Sequence, residues 1–356
     1  MKVELVGSGE NSSYFHTTIA NREHDKRILP ARAFRKTQKE FDGCFINEVL
    51  IPISAQDLPE NKEGYDIFDR TIEPKLSKKT VKDKINIITF FGEKTLELKD
   101  LLCFEDINLL TDFNQKYNDH FVTLPFTLKF RDKATKPDQI LTEIKSLYSD
   151  FTSTLNQTNL LGYVPAYASF REINKFVDLY IENNQSIKSD LGQLNFVPLM
   201  IDCKATSPDH LMRSLAKLSQ IKNEYLKEGY YLFYYGFNPR IPAVNQKNNK
   251  TDALAKEFLL SYLGFDVIGA SYALMHGGGP TDKHPQKSIG VFEDTDFKYH
   301  LESVGQYDYD RTKQRNFLAQ NTVFESISSK IPDKPSIAID ELQKRKDAFD
   351  YVQSYK

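Results

Sequence analysis

The sequence predicts an α/β fold, a (β/α)8 TIM-like barrel with a helical C-terminal extension, on three observations. Apolar strand-like runs alternate repeatedly with amphipathic helical stretches between residues 84 and 276. Those runs lack clean period-two alternation, the mark of strands covered on both faces in a parallel sheet. The GxGxxG fingerprint of an open dinucleotide-binding sheet is missing, since Gly7-Ser8-Gly9 is too short a fragment with no helix behind it.

Each element follows in order. VEL near the start reads as a short strand, and residues 21–40 are net basic. FDGCFINEVLIPI, 41–53, joins a turn signal at Asp42-Gly43 to a strand-like run. Residues 54–84 are polar and read as an irregular insertion. KINIITFF is a strand, LKDLLCFEDINLLTDFNQKY one or two helices, and HFVTLPFTLKF a strand interrupted by Pro125. In the next helix Ile140, Ile144 and Leu147 recur at helical spacing. LLGYVPAYAS is a strand, FREINKFVDLYIENN a helix, and LNFVPLMIDCKA a strand ending at Asp202 and Lys204. Ser207 and Pro208 are the N-cap and first residue of the long helix that follows. Then come the strand YYLFYYGF, the helix TDALAKEFLLSYLG and the strand FDVIGASYAL. After Lys283 the rhythm gives way to irregular or short-strand sequence. Helical patterns return in RTKQRNFLAQNTVFESISSKI and IAIDELQKRKDAFDYVQSYK. The expected division is a barrel over 1–290 and a mostly helical extension over 291–356.

Composition bounds the function. The chain has 356 residues, 40% hydrophobic and 27% charged, as expected of a globular protein with a large core. A net charge of -2 argues against a strongly basic nucleic-acid module and leaves a local basic face open. The 19 tyrosines and 25 phenylalanines either fill the core or stack on bases. No apolar run reaches membrane-spanning length, and the N-terminus lacks a signal-peptide core. Cys44, Cys103 and Cys203 form no CxxC and no disulfide framework, so a cytoplasmic setting is expected. No Ser-His-Asp set, P-loop or HExxH is present, and no cofactor is expected.

In a barrel, functional groups come from the C-terminal ends of strands. That rule selects Asp202 and Lys204, Asn238 and Arg240, and the stretch from Asp266 to Gly279. Asp202 and Lys204, two apart on a strand, would project from one face as a carboxylate–ammonium pair able to hold a phosphate or ribose or to relay a proton. The competing reading places them in a solvated loop. Arg240 would bind a phosphate or make a surface ion pair. His276 is an acid–base candidate or a surface residue. Gly277, Gly278 and Gly279 permit close approach to a ligand.

The segment Gly264-Phe265-Asp266, followed by Ala270-Ser271-Tyr272-Ala273-Leu274, resembles the last barrel strand of tRNA-guanine transglycosylases, especially archaeal members and relatives that handle 7-deazaguanine bases. The helix-like DALAKEFLLSYLG, the run YYLFYYGFNP and RNFLAQNTVFESISSKI extend the likeness over about Leu160 to Ile331. The resemblance implies base exchange at ribose C1′, with tRNA, DNA or a modified purine base as partner. It also implies a homo-oligomer, or a hetero-oligomer with a transglycosylase-like subunit. Two departures stand out. The family's zinc site needs three cysteines and a histidine, and GQYDYDRTKQRNF holds no cysteine, so no metal is expected. The family's nucleophilic aspartate is replaced by Ile268 in one alignment and by Gly269 in the other. Asp266, sharing parity with Ile268 and Ala270, is the first catalytic candidate, or else it only caps a turn. Asp202 is the second, and Asp42 in FDGCF matches the family's early acid–base aspartate. Substrate contacts are expected from Lys204, Asn238, Arg240, Tyr272, His276, Gly277 and Gly278. The basic stretch from Arg22 to Lys39 and Arg240 would hold nucleic acid weakly and in a salt-dependent way. Two alternatives stay open: a non-catalytic binding subunit, and an unrelated barrel enzyme that handles a small phosphorylated ligand with Asp202, Lys204 and Arg240.

Overall fold

A computed structural model describes residues 2–8, 16–22, 25–34, 45–55, 73–81, 84–98, 120–132, 134–152, 160–183, 195–204, 208–241, 251–270, 288–303 and 309–355. Strands β1 (Lys2–Ser8), β2 (His16–Arg22) and β3 (Asp25–Leu29) form an antiparallel sheet. Eight parallel strands then follow one another around a barrel. They are β4 (Ala31–Arg32), β5 (Ile46–Ile53), β6 (Ile85–Gly92), β7 (Phe121–Thr123), β9 (Leu160–Pro165), β10 (Asn195–Asp202), β11 (Tyr230–Phe237) and β13 (Val267–Ile268). The short strand β8 (Phe126–Thr127) also pairs with β6. β13 pairs with β4, and Phe34, just past β4, bridges Asn47 of β5, which closes the ring.

Parallel pairing follows from apolar side chains on both faces of each strand. All eight residues of β6, INIITFFG, are buried. The outer layer includes α1 (Glu73–Lys79), α2 (Pro137–Thr152), α3 (Phe170–Asn183), α4 (Pro208–Lys227) and α5 (Tyr309–Ser328), followed by α6 (Ile337–Gln343) and α7 (Lys346–Gln353). Ser169 and Glu172 form a reciprocal capping box that starts α3. Ile173, Phe176, Val177 and Tyr180 then recur at helical spacing and are buried. Tyr180 lies over Gly162 of β9, where a Cβ would stand 2.6 Å from its ring, so only glycine lets this helix pack so closely.

Several expectations need correction. TDALAKEFLLSYLG does not make one helix. Its start is strand β12 (Asp252–Leu254), which pairs with β15 (Lys298–Ser303), and Phe258–Leu263 is a 3-10 helix. Gly264, at φ 91, ends that helix in the left-handed conformation. The segment after Lys283 does hold short strands, as expected: β14 (Ser288–Glu293) pairs with β15. The strand expected over 120–130 is broken between β7 and β8 at Leu124-Pro125, where proline has no N–H to offer the ladder, and it ends in a 3-10 turn, Leu128–Arg131. The first barrel strand, β4, lies within the basic stretch where none was expected. Most of the helical expectation over 98–117 falls outside the described residues. Among the described residues no helix is long and apolar enough to cross a membrane.

Candidate functional site at the C-terminal mouth

Asp202, the last residue of β10, is fully buried. It accepts hydrogen bonds from Arg131 Nη2 at 2.9 Å, Tyr163 OH at 2.9 Å and the Lys204 backbone N at 2.9 Å. These donors come from the turn after β8, from β9 and from the end of β10, so three successive strand regions converge on one carboxylate. Burial, and then the Asp202 charge, push the Tyr163 phenol well above its ordinary pKa, so it stays protonated and donates. Aromatic rings wall the cluster. Phe126 lies 5.0 Å from Tyr163 and 5.7 Å from Phe237, Phe130 lies 5.6 Å from Tyr163, and the Arg131 guanidinium is 5.8 Å from the Phe237 ring. Arg131 Nε is buried and has no hydrogen-bond partner among the described residues.

Lys204 and Asn238 follow the ends of adjacent strands, and both take left-handed backbone, at φ 53 and φ 51. Such conformations cost on the order of 1 kcal/mol or more in residues other than glycine and tend to cluster at functional sites. β10 has ended before Lys204, so the expected same-face alternation with Asp202 does not hold. Its backbone N turns back to Asp202, while its Nζ lies 3.4 Å from the centre of the Tyr167 ring. Partial burial lowers the Lys204 pKa to about 8, with Arg131 adding to the shift and Asp202 and Asp132 opposing it. Lys204 is therefore expected to acylate with an apparent midpoint near pH 8 when an amine-selective reagent is mapped by mass spectrometry across pH. A midpoint near the ordinary lysine value would contradict this environment.

A second carboxylate enters from the opposite flank. Glu48 of β5 is buried, and Tyr235 OH of β11 donates to its Oε1 at 2.5 Å. Its Oε2 accepts from Ala270 N at 3.0 Å, just past β13. A Cβ at Gly269 would collide with Glu48 Oε1 and stand 2.8 Å from Gly236 O, so glycine is required beneath this carboxylate.

Gly269 therefore faces the barrel interior, and the parity expected for Asp266 is inverted. Asp266 lies in the layer between β11 and α4. It accepts from Lys222 Nζ at 2.7 Å, Tyr234 N at 2.8 Å and Tyr231 OH. It anchors a helix to a strand, away from the barrel interior. Burial pushes its carboxyl upward and the Lys222 ammonium downward, each partly offset by the other. Asn238 is buried beside the mouth, and Arg240 is exposed just beyond it. Asp42, Tyr272, His276, Gly277, Gly278 and Gly279 lie outside the described residues. His300 pairs with Asp296 at 2.8 Å, and no group of His, Cys, Asp and Glu among the described residues is arranged to hold a metal ion.

Sequence reasoning missed Arg131, Tyr163 and Glu48. Glu48 carried a readable signal, a lone carboxylate inside the apolar run INEVLIPI. Arg131 and Tyr163 carried none, because their convergence on Asp202 depends on tertiary placement. No family model and no curated protein matches this chain.

Proposed function

We propose that this barrel is a transglycosylase-like protein that receives a guanine or 7-deazaguanine base of a nucleic acid at its C-terminal mouth and exchanges it at ribose C1′. The observation that carries this reading is the buried Asp202, held by Arg131, Tyr163 and the Lys204 backbone among aromatic rings. A carboxylate offers about four acceptor positions, and three are used, which leaves one on this buried group that we assign to the N–H edge of a base. Phe126 and Phe237 are fully buried, so the partly exposed Tyr167 is the ring proposed to stack on a base. Lys204, with a pKa lowered to about 8, suits proton transfer with a departing ring nitrogen. Arg240, exposed past β11, and the basic residues from Arg22 to Lys39 other than the fully buried Arg32 are the proposed phosphate contacts.

Titration calorimetry with free 7-deazaguanine tests the reading. Wild type is expected to bind, and Asp202→Ala to weaken binding by about 100-fold. A specific observation favours a second reading. Arg131 and Lys204 place two cations at the mouth, which also suits a small phosphorylated ligand. Binding of sugar phosphates without any binding of the base would move the assignment there. Base binding without exchange would make the chain a binding subunit.

A further inference from the structure

We propose that Lys204 is a nucleophilic amine that condenses with a small aldehyde or ketone bearing a phosphate or carboxylate, forming an imine at the barrel mouth. This activity goes beyond base exchange and does not depend on it.

The placement of the amine carries the inference. Lys204 lies two residues past the end of β10, at the face of a barrel where chemistry is carried out. It is partly exposed, whereas Asp202 and Glu48 are buried. Its Nζ lies 3.4 Å from the centre of the Tyr167 ring and makes no hydrogen bond or ion pair among the described residues. Tyr167 OH donates to Phe130 O at 2.9 Å, which holds that ring in place. Two lysines that also follow barrel strands are engaged: Lys94 pairs with Asp132 at 3.5 Å, and Lys129 with Glu143 at 4.0 Å. A lysine kept for solubility would extend into water, and one kept for stability would meet a carboxylate. Lys204 does neither, and its left-handed backbone, at φ 53, is a strained way to hold it.

Desolvation and an adjoining cation are the two conditions that make a lysine a nucleophile toward carbonyls. Lys204 meets both, through partial burial and through Arg131. With its pKa lowered to about 8, about a tenth of the amine is free base at pH 7, against well under a thousandth for an ordinary lysine.

The anionic group of the substrate follows from the cations around this amine. Cys203 N donates to Phe237 O at 3.0 Å, so β10 and β11 stay joined to their last residues. Lys204 and Asn238 then turn off side by side, both in left-handed conformation. Arg240, two residues further, has its Cα within about 8 Å of that of Asn238. It is exposed and has no ion-pair partner among the described residues. A guanidinium so placed suits a phosphate or carboxylate.

The condensation balances without an oxidant or reductant. The free amine attacks the carbonyl carbon, the C–N bond forms, and the C=O pair moves to oxygen, which takes a proton. The carbinolamine then expels that oxygen as water while the nitrogen pair forms C=N. Taken whole, ammonium and carbonyl give iminium and one water. Two of the three ammonium hydrogens leave in the water, and the third stays on nitrogen.

The test incubates the full chain at pH 7 with sodium cyanoborohydride, which reduces an imine to a stable amine. The probes are glycolaldehyde phosphate, pyruvate and uncharged glycolaldehyde, and adducts are mapped by mass spectrometry after digestion. The expected result is one adduct per chain, on the peptide containing Lys204, formed about 30-fold or more faster than at any other lysine. Trapping saturates with an anionic probe, and the probe that saturates tells phosphate from carboxylate. Arg240→Ala is expected to raise the half-saturating concentration about tenfold and to leave trapping of glycolaldehyde unchanged. Lys204→Met is expected to lose the adduct and to keep its melting temperature. Adducts spread evenly over the lysines, a principal adduct on another lysine, or none with any probe overturns the proposal. Equal, unsaturable trapping of charged and uncharged probes overturns the anionic substrate. If K204M does not fold, the map of wild-type adducts decides. Guanine incorporation is scored in separate reactions, so failure of base exchange and failure of imine formation are read independently.

Discussion

Asp266→Ala is expected to destabilise the protein by about 3–5 kcal/mol, because it strands a buried ammonium. Lys222 is fully buried, and its Nζ donates to Asp266 at 2.7 Å and to Gly264 O at 2.6 Å. Burial already lowers the Lys222 pKa, and Asp266 supplies the opposing influence. Without that carboxylate the amine is driven further toward its neutral form, and the Tyr231 hydroxyl and Tyr234 N–H lose their acceptor. The measurement is urea unfolding followed by circular dichroism, with a lowered midpoint as the expected result. A wild-type midpoint combined with complete loss of chemistry would instead place Asp266 at the reacting atoms.

Asp202→Ala is expected to act on function first and on stability second. Ligand binding or turnover should fall by about 100- to 1,000-fold, since the substitution removes the acceptor at the mouth and releases Arg131. It also leaves the Tyr163 hydroxyl buried without its acceptor and the nearly buried Arg131 without its carboxylate, at a cost of about 3 kcal/mol. Asp202→Asn separates the two effects. The amide oxygen can still accept from Tyr163 or from the Lys204 backbone N, so most stability should return while the charge does not. Thermal melting alongside ligand titration checks both variants. Full recovery of binding in D202N would show that shape, and not charge, matters at this position.

The barrel was legible in the sequence because parallel strands buried on both faces read as continuous apolar runs. INIITFF and YYLFYYGF are examples, each followed or preceded by an amphipathic helix. β4 was not legible, since two residues, one of them Arg32, between Pro30 and Ala33 carry no periodic signal and are held by β13 and by Asn321 of α5. TDALAKEFLLSYLG has helical apolar spacing, yet the pairing of Asp252–Leu254 with β15 overrides it. At the site, the rule that strand ends carry function led to Asp202, Lys204 and Asn238. Alternation rightly grouped Asp266 with Ile268 and Ala270, but it does not say which face they share, and with Gly269 turned to Glu48 theirs is the outer one. The bond from Glu48 to Tyr235 joins residues 187 apart, a contact that only barrel closure creates.

Incorporation of labelled guanine into nucleic acid by the purified full chain tests the base-exchange claim most directly. Wild type is predicted to incorporate label, D202A to lose nearly all of it, and D266N, where folded, to retain it. No incorporation by wild type into either RNA or DNA, together with saturable binding of a sugar phosphate that depends on Lys204, would contradict it.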